Sequence, residues 1–194
     1  MSGKEDLRVR RTKKALFDAF KVLLNQSTID DITINELCDA AGIRRATFYK
    51  HYSDKFDFLT AYTGFLRDNF DHVMRKAGKP TLTTDYYVSY AKRIVGFITE
   101  NEVAIDNIFK SNLFPVVMST IVEQNYKDTC ERLRASVASG SMKLNASVEV
   151  TASMCAGGVA RTIYQWFRDG KKIDADELAD QIAIVVAAAI EQNK

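Results

Sequence analysis

The side chains of this chain with the clearest chemical purpose are cations, and they come in two groups. Arg8, Arg10, Arg11, Lys13 and Lys14 crowd one short stretch; Arg44, Arg45, Lys50, His51 and Lys55 form a second, diluted only by Asp54. Clusters of this kind suit a polyanion. Either one, taken alone, also suits a solvated helix face. The formal net charge is only +2, from 27 Lys+Arg against 25 Asp+Glu, but its placement is uneven. Residues 1–60 carry 11 cations and 9 anions, whereas residues 61–194 carry 16 of each, so the whole excess lies in the first third.

Other chemistry is poorly supplied. There is no HExxH, no P-loop, no GxGxxG and no Cys/His cluster, and the two histidines are His51 and His72. Nothing resembles a nucleophile with its base, so the chain is not expected to be an enzyme or to need a metal or cofactor. Cys38, Cys130 and Cys155 are odd in number, far apart and without a C-x-x-C pair, which fits a reducing compartment. The most apolar uncharged run, Gln181 to Ile190, falls well short of the roughly 20 residues that cross a bilayer. No apolar stretch follows Met1–Asp6 to make a secretory signal. The expectation is a cytoplasmic protein with no membrane partner.

The elements that must hold these cations are helices. With 194 residues, 46% hydrophobic and 27% charged, the chain can bury a core without staples, and two prolines and nine glycines leave little punctuation for an all-β fold. From Leu7 to Asn25, Leu16, Ala19, Phe20, Leu23 and Leu24 form one amphipathic stripe. Thr33-Ile34-Asn35-Glu36 is a capping box opening a second helix of about two turns, which Gly42 stops. A third short helix follows at once, with Phe48 and Tyr52 inward and Arg44, Arg45, Thr47, Tyr49, Lys50 and His51 on its other faces. Ser53 reads as the cap of a long fourth helix reaching the Gly78–Pro80 break. Further helices fall around Tyr87–Ile98, Glu102–Lys110 and Pro115–Val137. Another, capped by Asn145, runs to Asp169, and the last is opened by Asp174-Ala175-Asp176-Glu177. The fold class is all-α, with about nine helices.

Two short helices joined by a Gly-containing turn, the second polar and basic on its free face, make a helix-turn-helix. A packing helix has no reason to expose Arg, Lys, Tyr, Thr and His together; a helix lying in the major groove does. Residues 1–53 are therefore expected to form a DNA-binding domain, and residues 54–194 a helical regulatory and dimerisation domain.

The stretch Thr33–Leu59 resembles the DNA-binding signature of the TetR family of transcriptional regulators. The resemblance rests on the Thr33 cap, on Ala41-Gly42-Ile43, on the run from Ala46 through Phe48-Tyr49-Lys50-His51-Tyr52-Ser53-Asp54 to Lys55, and on Leu59. It covers about a quarter of the chain; Trp166-x-x-x-Gly170 before a capped last helix is similar to one type of that family's regulatory domain. It implies that Thr33, Thr47, Tyr49, His51 and Lys55 contact DNA phosphates, contacts that fix register without reading sequence. Arg44, Arg45 and Lys50 are the candidates for base contacts, because Arg pairs bidentately with guanine O6 and N7. Asn35 could reach a base edge or a phosphate. Arg44 departs from the family pattern, which often has a small capping residue there. Either the third helix is capped less well or Arg44 serves DNA.

In the second half, Ala152, Ala156 and Ala160 recur every four residues and permit close helix approach. Val159, Ile163 and Trp166 extend that surface, and Ile182, Val186 and Ile190 lie along the last helix. The family pairs its last two helices with those of a second copy, which makes Ala152, Ala156, Val159, Ile163, Ile182, Val186 and Ile190 the expected homodimer interface; intramolecular packing is the other use such residues could have. A small-molecule effector pocket is likewise implied by the resemblance, with Tyr87, Tyr90, Phe109, Met118, Tyr126 and Trp166 as candidate lining. The function expected is a sequence-specific repressor released from a near-palindromic double-stranded DNA operator by an inducer of unknown identity. The alternative is a co-regulator of the same fold acting through a protein partner.

Overall fold

The computed structural model describes residues 7–76 and 84–190, and the side chains among them except those of 69–76 and 84–88. Among the described residues there are nine α-helices and no strand: α1 (Leu7–Leu24), α2 (Ile34–Ala40), α3 (Arg45–Tyr49), α4 (Lys55–Lys76), α5 (Thr84–Glu100), α6 (Glu102–Lys110), α7 (Phe114–Ala138), α8 (Val148–Arg168) and α9 (Ala175–Ile190). The all-helical expectation holds, and α6 has the ends that the sequence pattern gives it.

Two caps differ from expectation. Asp54, not Ser53, caps α4: its Oδ1 accepts from the Asp57 N–H at 2.8 Å, while Asp57 reaches back to the Ser53 N–H at 2.9 Å. A carboxylate serves the unpaired amides and the positive end of a helix better than a hydroxyl does. Ser147, not Asn145, caps α8, accepting from the Val150 N–H at 3.2 Å. Asp174 caps α9 as expected, accepting from the Glu177 N–H at 2.8 Å.

The described chain divides into two compact units. One holds the chain through Phe65 together with Asn101–Val117; the other holds Leu66–Glu100 and the chain from Met118. The first unit is larger than the stretch 1–53 because its core is aromatic and α4 supplies part of it. Phe20 of α1 meets Phe58 edge-on at 5.2 Å and Tyr62 at 4.9 Å, and Phe48 of α3 lies 5.8 Å from Phe58. Phe20, Phe48 and Phe58 are fully buried, each worth about 2–3 kcal/mol in transfer alone. In the second unit, α5, α8 and α9 pack through Ala91, Val95, Ile163, Trp166, Leu178, Ala179 and Ile182. A second cluster joins Cys130 and Leu133 of α7 to Ala152 and Ile190.

Candidate nucleic-acid interface

The capping box at the start of α2 is complete. The Glu36 N–H donates to Thr33 Oγ1 at 3.1 Å, and the Glu36 carboxylate accepts from the Thr33 N–H at 2.8 Å and from the Thr33 hydroxyl at 2.7 Å. Bonds from the Thr33 backbone and side chain hold the Glu36 carboxyl below its ordinary range. The single hydroxyl proton of Thr33 is thus committed to Glu36, so a phosphate would have to compete for it. Asn35, the second residue of α2, is exposed.

The turn between α2 and α3 depends on Gly42. With φ at +66° it lets the Gly42 N–H reach Asp39 O at 3.1 Å and the Ile43 N–H reach Cys38 O at 3.0 Å. This double closure satisfies the last carbonyls of α2 and aims the chain into α3.

α3 is held from beneath by Phe48, which is fully buried, and the following Tyr52 is nearly so. The His51 and Tyr52 amides both bond Phe48 O, at 2.9 and 3.0 Å, adding a turn beyond the helix proper. Anchoring these two rings inward turns Arg44, Arg45, Tyr49 and Lys50 outward, where all four are exposed; Thr47 and His51 are half-buried at the edges. Arg44 is the N-cap residue in extended conformation, and its side chain makes no cap hydrogen bond. Its guanidinium therefore does not cap the first turn of α3. Arg45 packs on Tyr49, its guanidinium carbon 5.4 Å from the ring centroid.

Lys55, the first residue of α4, behaves differently from its neighbours. It is half-buried, and its ammonium donates to the carbonyl oxygens of Ile29 and, at 3.3 Å, of Asp30 in the α1–α2 turn. Burial lowers its pKa, against the opposing charges of Asp30, Asp31 and Glu36. Two of its three protons are engaged, which leaves one for a phosphate. Sequence reasoning missed this role because the acceptors are main-chain atoms. It also missed Asp54 and Asp57, for which the spacing of two carboxylates was an available signal. In the first basic group, Arg8, Arg10, Arg11 and Lys14 are exposed on α1, and Lys14 pairs with Asp18 at 2.6 Å.

The other candidate residues scatter. The side chain of Tyr87 lies outside those described. Tyr90 and Met118 are half-buried. Phe109 belongs to the first unit, edge-on to Phe114 at 5.1 Å. Tyr126 packs against the Cys130–Leu133 cluster, whereas Trp166 lies in the α5–α8–α9 core. Its indole N–H donates to Ile173 O at 2.8 Å, and its own carbonyl accepts from the Lys171 N–H after Gly170 turns with φ at +81°. The Trp-x-x-x-Gly motif is thereby the corner between α8 and α9.

Of the seven residues expected at a dimer interface, Ala152, Ala156, Ile163, Ile182 and Ile190 are buried within a single chain, and Val159 and Val186 are half-buried. The five buried ones are core residues of the protomer with little surface to offer a second copy, whereas Val159 and Val186 keep some. The apolar side chains that α8 and α9 expose are Val150, Met154, Ile184 and Val185, with Met154 and Val185 about 70% accessible.

No family model matches the chain. Over 55 residues, 28% of its length, it is 46% identical to an uncharacterised HTH-type transcriptional regulator, YxbF, of Bacillus subtilis (strain 168), and the match spans 14% of that relative. Solved structures agree over nearly the whole chain. A Rhodococcus sp. protein assigned to the TetR family of transcriptional regulators superposes with a TM-score of 0.73 at 14% identity, covering 94% of this chain and all of that one. The transcriptional regulator FadR from Bacillus subtilis, solved with stearoyl-CoA, superposes with a TM-score of 0.63 at 15% identity over 92% of this chain and 99% of its own. The class defined by these likenesses is an all-helical, helix-turn-helix fold of transcriptional regulators. More particularly, it is the fold of the TetR family, which the residues from Thr33 to Leu59 resemble in sequence.

Proposed function

We propose that the chain is a dimeric, sequence-specific DNA-binding transcriptional regulator of the TetR family. The observation that carries this reading is the outward face of α3 and its flanks: Arg44, Arg45, Tyr49 and Lys50 stand exposed on a helix anchored by Phe48. Arg45 and Tyr49 pack on one another, yet none of the four is buried. Laid in a major groove, Arg44, Arg45 and Lys50 read base edges, with Asn35 at the groove margin, while Tyr49, His51, Thr47 and the remaining proton of Lys55 meet phosphates. Residues 1–53 carry that reading, and 54–194 carry regulation and assembly.

One five-residue helix buries too little for tight, selective binding. Two heads on half-sites about one helical turn apart, or a multiple of it, supply the rest and read a near-palindrome. The dimer forms through α8 and α9, and Val150, Met154, Ile184 and Val185 are the surface these helices leave for it. Control is by a small molecule that favours a dimer whose heads are spaced wrongly for the operator, so affinity falls by the ratio of its affinities for the two states. Repression relieved by that ligand is the simplest outcome. Ligand binding in this fold is supported by FadR, solved with stearoyl-CoA.

The test is selection of bound DNA from a random duplex pool at about 150 mM salt, because salt sets the non-specific background. Recovery of a near-palindromic motif supports the reading. Recovery of unselected DNA would overturn it.

A further inference from the structure

The α1–α2 turn is gripped from two sides within the first unit. On one side Lys55 at the start of α4 donates to the Ile29 and Asp30 carbonyls. On the other, the Asn112 N–H at the α6–α7 turn donates to Asp30 Oδ2 at 2.8 Å, and Asn107 Nδ2 of α6 donates to Leu24 O, the last residue of α1, at 2.8 Å. Beneath the turn, Ile29 and Ile32 are buried and give it a fixed seat. Asp30 thus meets α4 through its main chain and the α6–α7 turn through its side chain.

The carboxylate itself is exposed, in a unit whose proposed partner is a polyanion. A negative charge there weakens attraction for DNA, and packing does not require it. We propose that Asp30 is a positioning residue of the DNA-reading head, holding the α1–α2 turn and Lys55 in register with the α6–α7 turn without touching DNA. The inference rests on the DNA-binding reading above. It gives the segment Asn101–Val117, remote in sequence from the helix-turn-helix, a part in setting how α2 and α3 are presented.

The test compares Asp30→Ala with Asp31→Ala, which remove the same charge from adjacent positions. Among the described residues the Asp31 carboxylate accepts one side-chain hydrogen bond, a local one from the Thr28 hydroxyl at 2.6 Å. Affinities of wild type and both variants are measured for the selected operator and for a random duplex, well below each variant's melting temperature. Asp30→Ala should bind the operator about three- to tenfold more weakly while binding random duplex as well or better. Asp31→Ala should keep the wild-type ratio of the two. Asn107→Ala, which changes no charge, should lower the ratio in the same direction with the salt slope unchanged, because no phosphate contact is lost. If Asp30→Ala and Asp31→Ala behave alike, or Asp30→Ala tightens operator binding, Asp30 has no positioning role. A wild type that prefers no sequence would instead sink the DNA-binding reading, and this role with it.

Discussion

Arg45 lies over the ring of Tyr49, one turn along α3, and its Nη2 donates to the phenol oxygen at 3.2 Å. A long side chain that is already ordered loses less freedom when it meets a base. In the proposed DNA-bound state the ring would support the guanidinium and the guanidinium would read the base.

Arg45→Ala should remove about 1–3 kcal/mol of discrimination at one position of the half-site and relax base preference there. Tyr49→Phe keeps the stacking face and should cost less, under about 1 kcal/mol, spread evenly over sequences. Competition binding against single-base operator variants separates the two. Equal discrimination by wild type and Arg45→Ala would remove Arg45 from direct readout.

Lys55→Ala should have two effects if the ammonium that holds the turn also meets a phosphate, as proposed. Binding to all sequences should weaken alike, with the salt slope reduced by about one contact per head. Stability should fall by about 1 kcal/mol as Ile29 O and Asp30 O lose their donor. Salt-dependent titration and urea denaturation check the two separately. A stability loss with no change in slope would make Lys55 a tether alone.

Much of this unit is legible in sequence, and the parts that are not fail for physical reasons. The capping box, the Gly42 turn and the inward Phe48 and Tyr52 are local patterns, each readable from a few adjacent residues. The tether of Lys55 is not, since a carbonyl acceptor leaves no mark on residue type. α9 is apolar nearly all round from Ile182 to Ile190, so periodicity cannot say which side meets the protomer's own core. That is why Ile182 and Ile190 read as interface and prove to be buried, while Ile184 and Val185 are the exposed ones.

That difference gives a sharp test of the assembly surface. Met154→Glu or Val185→Glu should yield monomers with nearly unchanged thermal stability, as read by sedimentation and thermal melting. Ile182→Glu should instead unfold the protomer, costing more than about 3 kcal/mol, because it buries a charge with no partner. A dimer that survives both exposed-face substitutions would place the interface elsewhere.

Stability should depend on pH at both ends. Glu36, held below the ordinary carboxylate range by its bonds to Thr33, stabilises the fold above that range, and the contribution disappears as pH falls through its lowered pKa. Glu36→Gln should flatten that acid limb. Tyr62, pushed up to about 12 by burial and then by the charge of Asp18, must stay neutral in the fold, so stability should fall as pH rises past the ordinary phenol range. Tyr62→Phe should remove this alkaline loss, seen in denaturant midpoints measured across pH.

The proposed dimer sets two α3 heads on one DNA duplex to read it together. Its most direct test is to titrate the selected operator, intact and with one half-site scrambled, while measuring the mass of the complex. Two protomers should bind the intact duplex, with affinity at least about a hundredfold above that for the scrambled one, since each lost base contact costs about 1–3 kcal/mol. Equal affinity for both, or a single protomer on the intact operator, would contradict it.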